Sequence, residues 1–84
     1  MTLNDIIKKI KTNSNNSEII LSANYIDRRN IVKELNDNNE WKEAFYNPSK
    51  GNCWRLFRNI HTDDKISIND GESDFFDDIV VNGI

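Results

Sequence analysis

Cys53 is the only cysteine of this chain and His61 the only histidine. No intramolecular disulfide can form, and a zinc site has too few of the ligands it needs. A chain of 84 residues buries only a small core. Apolar packing must therefore hold the fold, and the large apolar side chains must turn inward. The length fits a single compact domain over residues 1–84. Cys53 reads as a small core residue in a reducing compartment. A reactive thiol would need a catalytic partner, and none accompanies it.

The spacing of apolar residues predicts helices over most of the chain. Leu3, Ile6, Ile7 and Ile10 fall at i, i+3, i+4 and i+7. Thr2 with Asp5 makes a capping-box-like start, and Lys8, Lys9 and Lys11 suit the negative end of the helix dipole. Residues 12–17 read as a loop. Ile19-Ile20-Leu21 reads as a short strand, with the lead-in to a helix as the alternative. Asn24, with Asp27 three residues on, starts a second helix through Arg28, Val32 and Leu35 to the Asn-Asp-Asn-Asn break at 36–39. Trp41, Ala44 and Phe45 form a further helical stripe that ends before Pro48.

The clearest pattern follows. Cys53, Leu56, Phe57 and Ile60 share one helical face, with Trp54 at its edge and Arg55, Arg58 and Asn59 opposite. Read as a strand, the segment would put Trp54 and Arg58 on one face, which counts against it. A β-hairpin across Asn47–Asn52 is the competing reading of 40–61. Lys65–Ile68 alternates as a strand, and Asn69-Asp70-Gly71 is a turn. Ser73 reads as the N-cap of a last helix with Phe75, Phe76, Ile79 and Val80 on its apolar face and Gly83 at its end. The rival pairs Ile66–Ile68 with Ile79–Val81, against the low strand preference of the two aspartates between them. The expected fold is α+β and mainly helical: four or five short helices with at most a two- or three-stranded minor sheet. Its expected core is Leu3, Ile6, Ile7, Ile10, Val32, Leu35, Trp41, Phe45, Trp54, Phe57, Ile60, Phe76 and Ile79.

Charge is unevenly spread. Residues 63–84 carry seven acidic side chains and one basic one, whereas residues 1–62 carry ten basic and seven acidic. An acidic segment of net −6 thus follows a body of net +3. The acidic residues do not read as a metal site. With Gly71 as the sixth residue of a calcium loop, the first and third ligand positions would be Ile66 and Ile68, which cannot ligate. Asp74 and Asp78 would share a helix face, but no base or phosphate loop accompanies them. His61 lacks a nucleophile and an orienting group, and glycines 51, 71 and 83 are isolated turn residues. No metal, cofactor or enzymatic activity is expected.

No apolar run approaches the roughly 20 residues of a membrane span. The start of the chain lacks the basic and apolar regions of a secretory signal, so a cytoplasmic location is expected. Basic residues cluster at Lys8, Lys9 and Lys11, at Arg28, Arg29 and Lys33, and at Arg55 and Arg58. A net charge of −3 and interleaved carboxylates, such as Glu40 and Glu43 around Lys42, argue against nucleic-acid binding.

Asp70, Glu72, Asp74, Phe75, Asp77 and Asp78 suit a different role. Carboxylates interleaved with aromatic anchors can steer toward, and dock on, a larger basic protein. No motif marks a family. In size, acidity and lack of catalytic residues, the whole chain resembles the small inhibitors, anti-CRISPR proteins among them, with which phages and mobile elements block bacterial defence nucleases. The resemblance implies a non-enzymatic viral inhibitor that blocks a nucleic-acid-binding effector with an acidic surface, inside a bacterial or virus-infected cell. The alternative is a small helical nucleic-acid-binding or transcription-regulatory protein.

Overall fold

The computed structural model describes residues 1–12, 18–49, 52–71 and 79–82, with side chains throughout except at 47–49 and 52. Helix α1 spans Leu3–Thr12 and helix α2 spans Tyr25–Asn36. Five strands complete the fold: β1 (Ile19–Leu21), β2 (Trp41–Ser49), β3 (Asn52–Asn59), β4 (Lys65–Asn69) and β5 (Ile79–Val81). They form one antiparallel sheet in the order β1-β5-β4-β3-β2.

Both helices begin where their caps place them. The Thr2 amide donates to Asp5 Oδ2 at 2.8 Å, and the Asp5 amide returns to Thr2 Oγ1 at 3.4 Å, closing a capping box. That backbone hydrogen bond holds the Asp5 carboxyl below its ordinary range. The Asp27 amide donates to Asn24 Oδ1 at 2.8 Å. Glu34 of α2 accepts from the Leu3 amide at 3.0 Å, so α2 satisfies a free donor at the start of α1.

Cross-strand partners share a face of the sheet, and successive residues alternate between faces. Trp41, Phe57, Ile66, Ile68, Ile79 and Val81 lie on one face, where they join Leu3, Ile6, Ile31, Val32 and Leu35 of the helices in a buried cluster. Ile7, Ile10, Ile19, Leu21 and Ala23 pack at its margin. The helices therefore cover one side of the sheet.

The mainly helical architecture is corrected by these strands. The two helices expected over 41–47 and 53–60 give way to the hairpin β2–β3, the competing reading of that segment. Residues 79–81, expected to end a helix, pair with β1 and β4 instead. The rest of that expected helix, Ser73 to Asp78, lies outside the described residues. Trp54 and Arg58 do share a face, the one the helices leave uncovered. A strand covered on one side only can carry such a mixed row, so the objection to the strand reading loses its force. Phe45 and Ile60, expected in the core, are 59% and 49% exposed. A bulge between Glu43 and Phe45 turns Phe45 to the uncovered face, and Ile60 sits in the turn after β3. Phe76 lies outside the described residues. Among the described residues, no helix is long and apolar enough to cross a membrane.

Candidate functional site

Two features are candidates for function: an ion network on the side of the sheet that the helices cover, and the opposite face, which no described helix covers (the uncovered face).

The network centres on Arg28 and Asp70. Arg28 is fully buried on α2. Its guanidinium donates to the carbonyls of Asn69 at 2.8 Å, Ala23 at 2.5 Å and Gly71 at 2.6 Å, and it lies 5.8 Å from the Tyr25 ring. These contacts bind the end of β4 to the start of α2. Beside it, Asp70 accepts from Arg29 at 2.7 and 2.9 Å and from Arg55 at 2.8 Å. Arg55 also donates to Glu43 at 2.7 Å and stacks 4.1 Å from the Tyr46 ring. The Asp70 side chain is only 7% exposed.

Burial pushes the Asp70 carboxyl up, but the hydrogen bonds and charges of Arg29 and Arg55 outweigh it and hold it below its ordinary value of 3.8. The same carboxylate raises Arg29 and Arg55. A carboxyl depressed in the folded state stabilises the fold above its unfolded value, near 3.9, and that contribution disappears as pH falls through the folded value. Asp70→Asn should therefore lower the melting temperature at pH 7, and the gap to wild type should narrow below about pH 4. Melting curves between pH 7 and 2.5 test this. A constant gap would mean that the Asp70 charge contributes nothing.

Of the residues expected to bind a partner, Asp70 thus serves the protein's own arginines. Glu72, Asp74, Phe75, Asp77 and Asp78 lie outside the described residues. Asp63 is 68% exposed and meets Arg58 and Lys65 at 3.5 and 3.3 Å. Cys53 is half-buried, and His61 is exposed in the turn after β3. Among the described residues, no three His, Cys, Asp or Glu side chains converge as a metal site would require. An open cleft of about 520 Å³ beside α2 is lined by Met1, Thr2, Asp27, Asn30, Lys33, Glu34 and Asp37. Its mixed charges lie mostly in solvent.

The uncovered sheet face is more ordered in its chemistry. Register places Ile20, Val80, Ser67, Leu56 and Phe45 in one row across all five strands. At 4.7–4.9 Å per strand the row spans about 19 Å. Ile20 is 52% exposed, while Val80 and Leu56 are half-buried. Trp54, also half-buried, lies diagonal to Phe45. A second row on the same face, two residues along β3 and β4, is Lys42–Arg58–Lys65. No carboxylate occupies this face among the described strand residues. The pleat turns Glu43 to the other side, so carboxylates that interleave in sequence are separated in space. Neither row is visible as a motif, because each assembles one residue from each of several strands. The extra residue Ala44 also breaks the alternation that would have marked Phe45. Comparison with protein families, with curated proteins and with solved structures finds no match.

Proposed function

We propose that this is a small non-enzymatic binding protein whose contact surface is the uncovered face of the sheet. The row Ile20–Val80–Ser67–Leu56–Phe45, apolar at every position but Ser67, carries the reading. Its two ends are more than half exposed although the chain is too small to spare large apolar residues from its core. A largely apolar row flanked by a charged one is the composition of a docking surface. A row of side chains about 19 Å long across a sheet suits a macromolecule better than a small substrate. A cytoplasmic site of action agrees with a single cysteine, which no second one can pair.

The acidic segment supports a second reading, the anti-defence inhibitor, in which Glu72, Asp74, Phe75, Asp77 and Asp78 face a basic groove of a larger nucleic-acid-binding protein. Its support is the charge division of the sequence, net −6 over 63–84. Asp70 is removed from that surface by its arginine partners.

One experiment separates the two. Phe45→Ser with Ile20→Ser should melt like wild type, since both side chains are exposed, and should lose the partners that wild type retains from a source-cell extract. Asp77→Asn with Asp78→Asn should retain them. Loss of partners only in the acidic variant would replace the first reading by the second.

A further inference from the structure

The basic row points to what the uncovered face holds. We propose that the partner is single-stranded nucleic acid, with its phosphates along Lys42–Arg58–Lys65 and its bases against Phe45 and Trp54. The inference rests on the docking role of this face and gives it a ligand class.

Three observations carry it. First, the face joins cations and aromatic rings with the geometry that a single strand needs. The two rows run parallel, about 7 Å apart as set by two residues of strand rise. Phe45 and Trp54, as diagonal neighbours, lie about 7–8 Å apart, so both rings are available to bases. Aromatic platforms beside a basic track hold single strands without sequence preference, since every base presents a π-face.

Second, the acidic groups of the described strands and of α2 lie away from this face, and Asp63, in the turn after β3, is the described carboxylate that meets it. Glu43 and Asp70 lie on the covered side and are neutralised by Arg55 and Arg29. Asp27, Glu34 and Asp37 belong to α2 and the residue that follows it. The described strand residues of the uncovered face hold three cations and no carboxylate.

Third, the cations can be exchanged. Arg58 and Lys65 are 55% and 41% exposed, and their only described acidic contact is Asp63, itself 68% exposed. Exposed pairs of this kind hold their partners weakly, so a phosphate can displace Asp63. A duplex fits less well, because its bases are stacked inward and cannot reach Phe45 and Trp54.

The test is fluorescence anisotropy of labelled 12-nucleotide oligothymidylate and oligouridylate, with a duplex of the same length as control. Wild-type protein should bind the single strands and prefer them to the duplex. With about 0.7 counterions released per phosphate contact, three contacts should weaken binding roughly 20-fold between 50 and 200 mM salt. Phe45→Ala should weaken it at least about fivefold with little change in that salt slope. Lys42→Gln with Arg58→Gln should weaken it and flatten the slope. Circular dichroism confirms that each variant is folded.

Absence of single-strand binding at 50 mM salt overturns the inference, as does equal affinity for the duplex or binding indifferent to Phe45→Ala. The docking role fails separately, when Phe45→Ser with Ile20→Ser still retains the cellular partners. Retention that survives nuclease treatment of the extract, yet is lost in that variant, keeps the docking role and overturns the nucleic acid.

Discussion

Arg28→Met should cost about 3–5 kcal/mol and lower the melting temperature sharply. The substitution keeps the length of the side chain and its helix propensity, so α2 itself loses little. It removes the guanidinium that satisfies the carbonyls of Ala23, Asn69 and Gly71. Each polar group left buried without a partner costs about 1–3 kcal/mol. Replacing a buried ion pair by apolar residues is often harmless, because both partners leave together. Here three of the acceptors are backbone carbonyls, and no mutation can take them away. Global stability for a chain of this size is roughly 4–13 kcal/mol, so the loss is a large share of it. Arg28→Lys should fall between the two, since an ammonium cannot spread over three separated acceptors. Thermal melting by circular dichroism checks the series. An Arg28→Met protein that melts with wild type would show that water satisfies these carbonyls.

The second large effect is at Phe57. Its ring is fully buried between the sheet and the helices, and Phe57→Ala should cost about 3–5 kcal/mol through lost contacts and the cavity left behind. Ile60 gives the contrast. A helical stripe through 53–60 would bury both residues equally, whereas the hairpin exposes half of Ile60. Ile60→Ala should therefore cost less than about 1 kcal/mol. Chemical denaturation of the two variants distinguishes the arrangements. Equal, large losses would mean that the segment is helical after all.

These two side chains also set the boundary of what was legible. Local signals fixed α1 and α2 and their first turns. The capping groups Thr2, Asp5 and Asn24 act within three residues, and a helix closes its hydrogen bonds within four. Ile19–Leu21 and Lys65–Ile68 were also readable as strands, from β-branched runs and alternation. Leu3, Ile6, Val32, Leu35, Trp41, Phe57 and Ile79 could be assigned to the core whatever element held them, because large apolar residues must be buried in so small a chain.

From Trp41 to Asn59 the sequence offered both a helical pair and the hairpin and favoured the wrong one, and the reason is physical. Cys53, Leu56, Phe57 and Ile60 fit a helical period, but only Phe57 of the four is fully buried; the rest owe their exposure to which face or turn they occupy. Pairing partners decide between helix and strand here, and those lie in β4 and β2. The same holds for the site. Charge taken along the sequence set Glu43 beside Lys42 and Asp70 beside the acidic segment. The pleat separates the first pair, and Arg29, from another element, claims Asp70. The sequence by itself determined two capped helices, most of the core and the overall charge. Only the tertiary structure decided the five-stranded sheet, and with it the face that carries Phe45, Leu56 and the row Lys42–Arg58–Lys65. A row across strands exists only once the register is set, and register is a property of distant segments in contact.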